Sequence, residues 1–150
     1  MVSTALAYPN EPDGFRGLKW GTPLSDIQET MTHFYDYNGL EIYGRENDEK
    51  MIGLARLGGI SYRFWHGKLH SVSIDTTGYD NWTNLHESLI AKFGHGMKLN
   101  RYTYSWNDKT TDIYISYNYV SNKSILQFTS KAMEKEKESW EKDQAKKANF

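Results

Sequence analysis

The sequence predicts an α+β domain. Its expected parts are a mostly antiparallel sheet built from two helix-then-strands repeats, two helices packed on one face of that sheet, and a charged C-terminal helix. Three observations carry this prediction. Apolar residues recur at helical spacing twice: Ile27, Met31 and Tyr35, then Leu85, Leu89 and Phe93, each 58 residues further on. Behind each set come segments rich in Tyr, Ile and Thr, with period-two alternation and turn residues at their ends. After Ser130 the composition changes to Lys, Glu, Gln and Ala, with apolar surface mainly at Met133 and Trp140. The repeats span about 22–77 and 80–130 of a domain running from 15 to 130, and residues 131–150 form the C-terminal helix.

Residues 1–16 hold two of the three prolines and read as an irregular, flexible lead-in. Phe15-Arg16-Gly17-Leu18-Lys19-Trp20-Gly21 reads as a short strand bounded by glycines, with Phe15, Leu18 and Trp20 docked on the core. Thr22-Pro23-Leu24-Ser25 has the chemistry of a helix start, with Thr22 as N-cap, Pro23 at the first helical position and Asp26 in the first turn. That helix is expected to fade near 34–37, where Asn38-Gly39 supplies a turn or C-cap signal. Strands follow at about 40–46, 51–57, 60–66 and 69–76, with Gly58-Gly59 and His66-Gly67-Lys68 as turns. The second helix covers about 81–93, with Asp80 as N-cap and Gly94 as C-cap. Strands at about 100–106, 111–120 and 124–130 complete the sheet.

At 150 residues the chain has the length of one domain with a core large enough to need no disulfide or metal staple. The net charge of −1 argues against nucleic-acid and anionic-membrane partners, and no apolar run approaches the roughly 20 residues of a membrane span. The absence of cysteine excludes disulfide scaffolds, thiol catalysis, Cys-ligated zinc and iron–sulfur clusters. Ser3-Thr4-Ala5-Leu6-Ala7 has the small-residue end of a signal peptide without its apolar stretch, which points to a periplasmic or secreted protein, with an ordinary N-terminus and a cytoplasmic setting as the alternative. Asn81-Trp82-Thr83 and Asn122-Lys123-Ser124 fit the N-glycosylation pattern, which matters only in a eukaryotic secretory setting.

No residue takes a catalytic role. His66 and His70 flank a tight turn and His86 lies on the second helix, but no carboxylate stands at a supporting metal-ligand spacing, so no metal and no cofactor is expected. Asp75 and Asp112 sit at strand ends, where turn formation accounts for them. The Gly53–Gly59 cluster lies between strands rather than at a helix N-terminus, so it lacks phosphate-binding geometry. The aromatic strands are the more informative surface. Tyr supplies 11 residues, and aromatic residues interleaved with Ser, Asn and Arg suit a protein or peptide interface. Arg63, Trp65, Tyr104, Trp106 and Tyr114 are the expected open-face residues, subject to register, because a one-residue slip turns each inward. The competing expectation is a small hydrolase or ligand-binding enzyme whose sheet–helix pocket gathers His70, His86 and Asp75. The terminal helix is expected to be a solvated appendage, with a helix reaching to a second copy as the alternative.

The double helix-then-strands order resembles the tandem-repeat domains of the beta-lactamase inhibitor protein class and the small outer-membrane-assembly lipoprotein domains of Gram-negative bacteria. Gly17-Leu18-Lys19-Trp20-Gly21-Thr22 is similar to the Gly-x-x-Trp-Gly-x-(Thr/Ser) helix entry of small exported bacterial proteins. The inhibitors carry disulfides and the lipoproteins a lipidated cysteine, both missing here, so no functional residue transfers. The resemblance implies an extracytoplasmic, non-enzymatic binding domain that uses its open sheet face.

Overall fold

Eight antiparallel strands make the central sheet, and the order of its strands follows from two meanders joined at the middle. In a computed structural model that describes residues 7–150, these are β3 (Met31–Tyr37), β4 (Leu40–Arg45), β7 (Gly59–Trp65), β8 (Lys68–Thr77), β9 (Met97–Asn100), β10 (Thr103–Trp106), β11 (Thr111–Asn118) and β12 (Lys123–Ser130). They lie in the order β3-β4-β7-β8-β12-β11-β10-β9. Two small hairpins precede or interrupt the first meander: β1 (Gly14–Phe15) with β2 (Leu18–Lys19), and β5 (Met51–Ile52) with β6 (Ala55–Arg56). Two helices complete the fold, α1 (Tyr79–Phe93) and α2 (Lys131–Lys146). The predicted α+β class, a large antiparallel sheet with helices packed against it, is therefore what the chain adopts. The expected signal-peptide end lies, apart from Ala7, outside the described residues.

The helix expected over 22–37 is absent. Leu24–Asp26 and Gln28–Thr30 form two short 3₁₀ turns, and Met31–Tyr37 is the edge strand β3. Asn38 and Gly39 explain the outcome. Both have positive φ, +50° and +76°, which is the two-residue turn whose twist matches a β-hairpin, so Asn-Gly reverses a strand here instead of ending a helix. Only the second unit, α1 followed by β9–β12, keeps the helix-then-strands order.

Of the two repeat helices expected on one face only the second forms, as α1, and α2, the expected C-terminal helix, lies on the opposite face. α1 buries Trp82, Leu85, Leu89 and Phe93 in the main core, against Ile60, Tyr62, Phe64, Val72, Ile74, Ile113, Ile115, Leu126 and Phe128 of the sheet. α2 places Met133 on the other face, against Leu40, Ile42 and Trp65. α1 starts at Tyr79 behind Gly78, one residue before the expected cap Asp80, and Gly94 ends it as expected, its N–H donating to Ile90 O. Ser130 caps α2, its Oγ accepting from Met133 N–H at 3.1 Å.

From Tyr8 onward the lead-in is tied down rather than loose. The buried Tyr8 hydroxyl donates to Thr111 O at 2.6 Å, Glu11 Oε2 accepts from the N–H groups of Thr110 and Thr111, and Trp20 Nε1 donates to Thr111 Oγ1 at 2.7 Å. Burial pushes the Tyr8 hydroxyl well above its ordinary range. The expected single strand through Phe15–Gly21 is the β1–β2 hairpin, turning at Arg16 and Gly17, both at positive φ. Phe15 and Leu18 enter the core as expected.

Candidate binding surface

Strand pairing decides which face each side chain takes, because residues directly opposite one another share a face. Trp106 pairs with Ile113 and Tyr104 with Ile115, and both isoleucines are fully buried beneath α1. Tyr104 and Trp106 therefore point inward, against the sequence expectation. Trp106 is 2% exposed and its Nε1 donates to Gly94 O at 2.8 Å, closing the end of α1. Arg63, Trp65 and Tyr114 do lie on the face away from α1, since Arg63 pairs with Ile42 and Ser71, Trp65 with Leu40, and Tyr114 with Gln127. Trp65 is nevertheless buried, roofed by Met133 of α2. Tyr114 is more than a third exposed and Arg63 is half-buried.

This outer face has a small polar centre and two apolar ends. Ser61, Ser71, Ser73, Gln127 and Thr129 occupy the middle, across β7, β8 and β12. At one end stand Tyr114 and Ile125. At the other, two cross-strand rows run inward from the free edge: Tyr37, Leu40 and Trp65, then Tyr35, Ile42 and Arg63. The inner members Leu40, Ile42 and Trp65 are covered, whereas Phe34, Tyr35 and Tyr37 are each 56–57% exposed. A register shift between His33 and Tyr35 lets Phe34 lay its ring over Gly44, where a β-carbon would collide with it. A glycine left bare on a strand is thus covered by an aromatic neighbour. The sequence expectation places these edge aromatics on a helix, where they do not form a binding edge. The alternating Thr32-His33-Phe34-Tyr35-Asp36-Tyr37 run before Asn38-Gly39 was the signal for them.

α2 borders this aromatic end. His66 stacks on Trp65 with centroids 4.0 Å apart, and Trp140 meets His66 edge-on at 4.8 Å. His70 Nε2 lies 2.5 Å from Glu134 Oε2, and its Nδ1 lies 2.8 Å from Ser71 Oγ. Burial holds the His70 imidazole below its ordinary range, against the opposing pull of the Glu134 carboxylate, with Lys137 and Arg63 adding to the depression. The neutral ring then donates Nε2–H to Glu134 and accepts the Ser71 hydroxyl proton.

The groups expected for a hydrolytic pocket are dispersed. His70 is under α2, whereas His86 sits on α1 on the opposite side of the sheet, 4.1 Å from the Tyr104 ring. Burial lowers the pKa of His86 also, and its Nε2 has no hydrogen-bond partner. Asp75 lies on the outer face beside Gly58 and Gly59. Asp112 faces Lys131 at 3.6 Å, its carboxyl pushed up by burial. Among the described residues no cluster of three or more His, Asp or Glu side chains is placed to hold a metal. The arrangement offers contact area and an open strand edge. No family model matches the chain, and the comparisons with curated proteins and solved structures give no match.

Proposed function

We propose that this chain is a non-enzymatic binding domain that takes an extended segment of a partner protein along β3, with Phe34, Tyr35 and Tyr37 as its contacts and α2 as a flanking wall. The observation that carries the reading is that three exposed aromatic residues stand on one seven-residue free edge. An unpaired edge presents a row of backbone donors and acceptors, so it accepts an added strand. Exposed tyrosines beside it supply side-chain contact at small entropic cost. An extracytoplasmic setting belongs to the proposal.

The test is affinity capture from an extract of the native host, comparing the wild-type chain, a Tyr35→Ser/Tyr37→Ser double variant and a Tyr119→Ser control. A partner retained by the wild type and the control but lost by the double variant is the expected result. Equal retention by all three removes β3 as the contact surface. Fractionation of the host cells tests the setting.

A further inference from the structure

We propose that a crevice between the β1–β2 hairpin and α1 binds a straight-chain fatty carboxylate, its chain in the crevice and its carboxylate on Lys92. The crevice measures about 380 Å³, within the range of roughly 300–1,000 Å³ typical of ligand pockets. Phe15, Leu89, Phe93, Leu126, Phe128 and Ile52 supply walls that are almost wholly carbon. Such walls offer water few hydrogen-bond partners. Ser88 contributes only a hydroxymethyl group to the lining, packed towards Gly53.

Charge at the rim selects the head group. Arg16 and Lys92 are the charged residues lining the opening. Arg16 is already committed: its guanidinium donates to Asp48 Oδ1 at 2.7 Å, Glu49 O at 2.6 Å and Met51 O at 2.8 Å. Lys92, exposed in the last turn of α1, forms no ion pair or side-chain hydrogen bond among the described residues. An uncommitted lysine at the rim of an apolar crevice matches an anionic head on an apolar chain. A recess of about 460 Å³ at the splayed ends of β4 and β7 has the charged residues Arg45, Glu46, Asp48 and Lys50 in its lining beside Phe34 and Ile60, and so lacks such a continuous apolar wall.

The probe is decanoate, titrated calorimetrically into the full chain, with decanol and decyltrimethylammonium in parallel and methyl-resolved NMR to place the site. Expected are saturable binding of one decanoate per chain, weaker binding of the ammonium, and methyl shifts at Ile52, Leu89 and Leu126. Lys92→Glu should weaken decanoate about fivefold, the size of a lost exposed ion pair, and leave decanol unchanged. Ile52→Trp, or Ser88→Phe should the first not fold, should abolish binding with the circular dichroism spectrum intact. Absence of saturation, methyl shifts at Leu40 and Ile42 instead, undiminished binding by the folded blocking variant, or equal affinity for the ammonium would each overturn the proposal.

Discussion

Glu134 Oε2 lies 2.5 Å from His70 Nε2, and through that contact the C-terminal helix holds β8. The pair makes stability depend on pH in a stated direction. Burial puts the folded pKa of His70 below its unfolded value of about 6.5, and His86 is depressed for the same reason. Below that value the unfolded chain binds more protons than the folded one. Stability is therefore full above about pH 6.5 and falls as pH drops toward the folded pKa values. Urea unfolding should show a lower midpoint at about pH 5.5 than at about pH 7.5, with a smaller drop in His70→Gln. A midpoint that is flat or rises on acidification contradicts this.

Asp48 joins three distant segments. Its Oδ2 accepts from the Tyr62 hydroxyl at 2.6 Å while its Oδ1 holds Arg16 at 2.7 Å. Tyr62 is fully buried, and its hydroxyl is pushed well above the ordinary range, first by burial and then by Asp48. Asp48→Ala leaves the buried Tyr62 hydroxyl without its carboxylate acceptor and the Arg16 guanidinium with only the carbonyls of Glu49 and Met51, so it should cost about 1–3 kcal/mol. Denaturant unfolding measures it, and a loss under about 0.5 kcal/mol, the range of ordinary surface changes, would show that the network is replaceable.

Asn38 occupies the left-handed region at φ +50°. Asn38→Ala should destabilise by about 1 kcal/mol, because alanine keeps the β-carbon that crowds the following carbonyl and loses the short polar side chain whose local hydrogen bonding lets asparagine adopt this region, whereas Asn38→Gly should be close to neutral. If thermal melts put both variants level with wild type, the β3–β4 turn is not a fixed one.

The two tryptophans Trp106 and Trp140 should respond differently to substitution. Trp106→Phe keeps most of the buried ring but loses the hydrogen bond to Gly94 O, a cost of about 1 kcal/mol. Trp140 is 44% exposed, and Trp140→Ala should cost less than about 1 kcal/mol while releasing the ring contact with His66. The His66 imidazole proton shift reports that release, and an unchanged shift would mean that Trp140 does not rest there in solution.

Much of the second half was legible because its signals agree. Leu85, Leu89 and Phe93 share a helical face, Gly94 ends that helix, and Ile113 and Ile115 alternate with polar residues. The first half misled because helical spacing and strand alternation coexist in it. Ile27, Met31 and Tyr35 satisfy a four-residue step, yet the aromatic run before Asn38-Gly39 is better suited to a hairpin. Tyr104 and Trp106 were rightly placed on one face of their strand, but the choice between faces depends on Ile113 and Ile115, two residues from another strand. Local sequence carries no such information. The bulge that places Phe34 over Gly44 is likewise set by β4, and nothing in the residues around Phe34 announces it.

The seam between β8 and β12 joins residues 71–77 to 123–129 at the centre of the sheet, with Thr76 Oγ1 and Ser124 Oγ hydrogen-bonded within it. During synthesis β8 is complete long before its inner neighbour exists. Until the last strand leaves the ribosome the sheet is two separate meanders, and β8 is an edge. The covered apolar residues Leu40, Ile42 and Trp65 wait longer still, for Met133. The chain therefore closes from its C-terminal end, and a ribosome stalled before residue 123 would hold a half-sheet with both flanks open.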